Sequence, residues 1–139
     1  MKKFLLLIGI MAFMCTAQGE SDIHSFSYCL KNCEEYFSTQ TISLPSMSLT
    51  TKREILGLDK ENLCQYRETI SSNNSVYTVN CKFNKEQRTS LAKVISDFDD
   101  DSQNNNIDIN DFNQVQNSSV YGAWAEYLQD GSICSIDAK

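Results

Sequence analysis

The densest run of oxygen-bearing side chains in this chain is Asp100-Asp101-Ser102-Gln103-Asn104-Asn105-Asn106-Ile107-Asp108-Ile109-Asn110-Asp111. Short carboxylates and carboxamides reach inward from a tight loop at little entropic cost. A hard cation such as calcium takes roughly six to eight oxygens at about 2.3–2.6 Å. The chemistry on offer here is cation binding. The competing reading is a solvated, acidic, Asn-rich surface loop.

Residues 100–112 resemble the EF-hand calcium loop, and their last positions resemble a dockerin loop. The resemblance implies metal ligands at Asp100, Ser102, Asn104, Asn106, Asp108 and Asp111, with Asn106 contributing its main-chain carbonyl. Ile107 stands where that family has its apolar loop residue, and Phe112 where the exiting helix begins. Two positions depart from the pattern. Asn105 replaces the sharp-turn glycine, and Asp111 replaces the longer bidentate glutamate. No family resemblance covers the whole chain, and calcium is the only cofactor the sequence suggests.

Cysteine is the second group with chemistry in it, at positions 15, 29, 33, 64, 81 and 134. Cys15 falls in the amino-terminal leader described below, so an odd number remains after it. One thiol is then left over, which also offers a route to an oligomer. Zinc fits poorly, because Cys29-x-x-x-Cys33 is followed by isolated cysteines and the only histidine is His24. No Cys-x-x-Cys redox motif is present. The reading is a disulfide framework drawn from Cys29, Cys33, Cys64, Cys81 and Cys134.

Acid–base catalysis finds only Glu34 with Glu35, or Glu54 with Glu61, and nothing in the sequence sets either pair across a cleft. His24 is poorly placed for a triad, and no glycine-rich phosphate loop occurs. Asn73-Asn74-Ser75 and Asn117-Ser118-Ser119 match the N-glycosylation pattern.

The elements that must position these residues follow from periodicity. From Thr41 to Phe83 the pattern is close to two. Ile42, Leu44, Met47 and Leu49 lie on either side of Pro45, which suggests an edge strand or a bulge. A strand over 52–58 ends at Gly57. Cys64, Tyr66 and Ile70 alternate with Gln65, Arg67 and Thr69, and Tyr77, Val79, Cys81 and Phe83 alternate with Thr78, Asn80 and Lys82. Ser71–Ser75 joins the two runs as a hairpin turn. With Ser72 and Asn73 at the turn's centre, Cys64 faces Cys81, Tyr66 faces Val79 and Glu68 faces Tyr77. That register predicts a Cys64–Cys81 disulfide, leaving Cys134 to pair with Cys29 or Cys33. Glu68 is the one misfit on the apolar face.

Asn84 caps a helix whose apolar stripe is Leu91, Val94, Ile95 and Phe98. A second helix follows over Ser118–Leu128, with Val120, Tyr121, Trp124 and Leu128 on one side and Gly131 at its end. Phe26, Leu30, Cys33 and Phe37 sit at near-helical spacing, with Cys29 and Cys33 one turn apart, which fits a short helix, while Tyr28, Tyr36 and Phe37 equally fit strands. The expected fold is α+β: a small antiparallel sheet of three or four strands packed against one or two helices and stapled by disulfides.

The chain has 139 residues, enough for one cored domain. Lys2 and Lys3 precede an uncharged apolar run from Phe4 to Met14, and Thr16, Ala17, Gln18 and Gly19 lead into polar sequence. This is the pattern of a secretory signal peptide over 1–19, with one exported domain over 20–139, secreted or periplasmic. The run is too short for a stable membrane span. A net charge of -6 argues against nucleic acid as a partner. The expected function is a non-enzymatic binding or interaction protein for an unknown protein or small ligand. The alternatives are a calcium-binding module, and an enzyme or enzyme inhibitor using surface carboxylates.

Overall fold

The computed structural model describes residues 25–104, 106, 113–114 and 117–139. Residues 1–24, which include the expected signal peptide and His24, lie outside the described residues. A short helix α1 (Phe26–Asn32) precedes four strands, β1 (Tyr36–Leu44), β2 (Met47–Leu58), β3 (Cys64–Ser71) and β4 (Val76–Phe83). Two helices follow, α2 (Lys85–Gln103) and α3 (Ser119–Gln129), and then a last strand β5 (Cys134–Ala138). The five strands form one antiparallel sheet in the order β1-β2-β3-β4-β5. The fold is therefore a small α+β unit with its sheet packed against helices and two disulfides. One more strand is present than the sequence suggested. β5 returns along β4, where its end is tied by reciprocal backbone bonds between Val76 and Lys139 at 3.1 and 2.9 Å.

Turn chemistry accounts for the joints. Pro45 is neither in an edge strand nor at a bulge. It sits with Ser46 in the turn joining Leu44 to its partner Met47, where a fixed φ near −65° is favourable. Gly57 does not end its strand. The register slips between Ile55 and Gly57, and Gly57 takes φ +95°, so β2 bulges and runs on to Leu58. Asp59 then organises the next turn by accepting bonds from the amides of Glu61 (2.8 Å) and Leu63 (3.0 Å).

The β3–β4 hairpin corrects the expected register. Four residues, 72–75, form its tip, closed by the Ser72 amide on the Ser75 carbonyl at 2.8 Å. Cys64 therefore faces Phe83, and Tyr66 faces Cys81. The slip is two residues, and a strand's side chains repeat every two, so each residue keeps its face. Tyr66, Val79 and Phe83 are buried and Arg67 and Lys82 exposed, as alternation requires, while Tyr77 and Thr78 are both half-buried. The Cys64–Cys81 disulfide is overturned. Cys64 bonds Cys33 and Cys81 bonds Cys134, each at an S–S distance of 2.05 Å. Cys134 lies directly opposite Cys81 across β4 and β5, so the cross-strand bridge exists with a different partner.

Helix ends are capped by side chains. Ser25 accepts from the Tyr28 amide, and Cys33 closes α1 in the left-handed region at φ 52°. Asn84 and Gln87 exchange backbone-to-side-chain bonds of 2.8 and 2.9 Å, a reciprocal capping box that starts α2. Ser118 caps α3 by accepting from the Tyr121 amide, and the helix stops at Asp130, one residue before Gly131. All three helices contribute to a core on one face of the sheet. Trp124 meets Tyr66 edge-on at 5.5 Å, Tyr127 meets Phe83 at 5.4 Å, and Phe26 meets Tyr36 at 5.2 Å. Arg88, at the start of α2, is buried and donates to the Lys31 carbonyl near the end of α1.

Candidate functional site

The helix-covered face carries charge where the hairpin already showed a misfit. Leu49, Thr51, Arg53 and Ile55 share one side of β2 by alternation, so the buried apolar ends carry Arg53 inward with them. Arg53 is the direct cross-strand partner of Glu68 on β3, and their residual exposures are 8% and 1%. The Arg53 guanidinium lies 5.3 Å from the centre of the Phe26 ring. Tyr66 donates a 2.7 Å hydrogen bond to Glu68 Oε2, whereas Glu68 Oε1 has no hydrogen-bond partner.

Burial dominates the electrostatics. It raises the Glu68 carboxyl above the ordinary glutamate range, against the Arg53 charge and the Tyr66 bond. It also raises the Tyr66 phenol well above its usual value, with the neighbouring Glu68 adding to the effect. Asp99, reaching in from α2, is pushed up to about 6 by partial burial and by Asp100, against the pull of Arg53. Two carboxyl groups thus draw on one sealed guanidinium. The sequence marked Glu68 but missed Arg53, although the parity of Leu49 and Ile55 could have found it.

The acidic segment is brought together only in part. Helix α2 continues through Asp100 to Gln103, so Asp100 and Ser102 are helical positions. The Asn104 amide bonds the Asp100 carbonyl at 3.0 Å, and the Asn106 amide bonds the Asp101 carbonyl at 2.9 Å. Asp108 and Asp111 lie outside the described residues. Among the described residues, no group of three or more His, Cys, Asp or Glu is arranged to hold a metal. The last turn of α2 carries no basic residue, so Asp99, Asp100 and Asp101 crowd a helix end that is already electronegative.

The carboxylate pairs fall apart. Glu34 and Glu35 are both exposed in the connection after α1. Glu54 lies on the outer sheet face, 3.8 Å from Arg67, while Glu61 belongs to the Asp59 turn. Asn73 is exposed at the hairpin tip, and Asn117 is exposed ahead of α3. The Cys29 thiol, outside both disulfides, is buried with 5% exposure, so bonding to another chain through it would require α1 to lift.

The outer face has a different character. Phe37, Glu54, Arg67, Asn80 and Ser135 form one row across all five strands. Arg67 spans its middle, with Glu54 on one side and a 3.2 Å bond to Asn80 on the other. At the β1 end, Phe37 is 62% exposed and Leu56 is 40% exposed. They border a depression of about 420 Å³ that also meets Glu35 and Glu54. Among the described residues, no helix is long and apolar enough to cross a membrane. No protein-family model, curated protein or solved structure matches the chain.

Proposed function

We propose that the chain is an exported, non-enzymatic interaction module that contacts a protein partner through the outer sheet face around Phe37 and Leu56. The observation that carries this reading is the exposure of two large apolar side chains beside a depression rimmed by Glu35 and Glu54. Such a surface suits an apolar side chain flanked by a Lys or Arg on the partner. The Arg53–Glu68 pair supports the non-enzymatic part, since neither group is open to a substrate. Export is supported by the two disulfides, which persist in oxidising compartments, and by the Lys2-Lys3 leader with its apolar run. A benzophenone amino acid introduced at Phe37 tests the reading in the exporting cell. Irradiation should yield an adduct with a second protein species, while the same group at Thr78, on the far side of that face, should not. No adduct from Phe37 sinks the proposal.

A second reading retains the cation. Three consecutive aspartates at the end of α2, with no basic residue in its last turn, create a local excess of negative charge. Calcium held by Asp100, Asn104 and the following loop would relieve it. Titration of the metal-stripped protein with millimolar calcium tests this reading.

A further inference from the structure

We infer that Asn73, at the tip of the β3–β4 hairpin, carries an N-linked oligosaccharide. The inference rests on the export proposed above, because the sugar donor is met in the exporting compartment. Two stretches fit the Asn-x-Ser acceptor pattern, and the fold separates them. Residues 72–75 form an uncharged turn between two strands, with Asn73 and Asn74 both exposed. The tip is closed through the Ser75 carbonyl, which accepts from the Ser72 amide at 2.8 Å and from the Ser72 hydroxyl at 3.5 Å. The Ser75 hydroxyl takes no part in that closure. Asn117-Ser118-Ser119 is committed to a helix instead. The Asn117 amide donates to the Asn113 carbonyl at 3.1 Å, the Ser118 hydroxyl caps α3, and Ser119 is the first residue of that helix. A transferase that takes its acceptor from a surface loop must unwind the start of α3 to use Asn117, whereas residues 73–75 already lie in a loop.

The chemistry is a group transfer. Asn73 Nδ2 forms a bond to C1 of the first sugar of a polyprenyl-diphosphate-linked oligosaccharide. The bond from C1 to the diphosphate oxygen breaks, and its electron pair leaves with the lipid diphosphate. One amide proton passes from Nδ2 to a base, so charge balances and nothing is oxidised or reduced. The product is bulky and must project into water. Ser71, where β3 meets the tip, lies four residues beyond Arg67, about 13 Å at the rise of a strand. Arg67 shares a row with Phe37, so the sugar is rooted away from the Phe37–Leu56 surface and leaves it open.

Peptide mapping of the protein recovered outside the exporting cell is the test, after peptide-N-glycosidase treatment in heavy-oxygen water. Position 73 should emerge as an aspartate carrying the heavy oxygen, at an occupancy well above that of position 117. Ser75→Ala should abolish the label at position 73 while the melting temperature of the deglycosylated chain is retained, and Ser75→Thr should keep the label. Exported, disulfide-bonded protein with no label at position 73, or with more at position 117, overturns the inference and leaves the export reading standing. Protein held inside the cell with its cysteines reduced and Asn73 unmodified overturns both. A label that survives Ser75→Ala arises from spontaneous deamidation and overturns the inference equally.

Discussion

Tyr66 and Glu68 stand two residues apart on β3 with their polar ends 2.7 Å from each other, each about 1% exposed. The phenol is the hydrogen-bond donor to the carboxyl, so removing it is costly. Tyr66→Phe leaves both oxygens of a sealed carboxyl without a hydrogen-bond donor and should lower stability by about 1–3 kcal/mol. Glu68→Ala removes the acceptor of the sealed Tyr66 phenol and should cost a similar amount, about 1–3 kcal/mol. Urea midpoints of the two variants and of their combination check this. The double variant should fall well short of the sum, because the two residues share one bond.

Glu68 and Asp59 set opposite limbs of the pH dependence. With Glu68 raised above its ordinary 4.5, its contribution is complete below that value and is lost as pH rises, because the unfolded chain releases the proton first. Asp59 is held below 3.8 by the Leu63 amide and then by Lys82, 3.0 Å away. Its contribution is complete above 3.8 and is lost as pH falls through the lowered value. Glu68→Gln should flatten the decline in melting temperature above pH 4.5. Asp59→Asn should instead lower stability near neutrality and soften the acid limb. Melting curves from pH 2.5 to 8 separate the two, and an unchanged slope in Glu68→Gln contradicts the sealed-carboxyl account.

Period-two alternation made the faces of β3 and β4 legible, and apolar spacing placed α3 and the start of α2, whose end runs past the apolar stripe at Phe98 to Gln103. Register was less legible, because Ser-Ser-Asn-Asn-Ser accommodates a two-residue or a four-residue tip, and both keep Tyr66 and Val79 inward. β5 escaped because Cys-Ser-Ile-Asp-Ala is short and becomes a strand by pairing with β4. Glu68 was visible as a polar residue on an apolar face. Its relation to Arg53 needs the β2–β3 register, which passes through a bulge at Gly57 that no spacing announces.

The bridges have consequences for covalent mapping and stability. Non-reducing peptide maps should recover Cys33 linked to Cys64 and Cys81 linked to Cys134, with Cys29 alkylated only after denaturation. The bonded cysteines are 31 and 53 residues apart. On the chain-entropy estimate each bridge contributes about 4 kcal/mol, so a paired Cys→Ser change at either should lower the melting temperature by on the order of 10 °C. Recovery of a Cys64–Cys81 peptide would contradict the four-residue hairpin tip.

The end of α2 gives the expected response to calcium. Asp99, Asp100 and Asp101 repel one another beside the negative end of a helix, and a divalent ion bound there would neutralise that excess. Calcium at about 1–5 mM, at or above the dissociation constants of weak extracellular sites, should therefore raise the melting temperature by mass action. Asp100→Asn should reduce the rise, because it removes a full charge at the first position of the segment. Asp111→Asn should do the same if the ion is shared along the loop, whereas Asp137→Asn, on β5, should have no effect. Magnesium should raise it less, since a near-octahedral cage with short bonds suits a long loop poorly. Calorimetric titration of the metal-stripped protein decides the matter. Absence of both heat and thermal shift at 5 mM would leave residues 100–111 as solvated acidic surface.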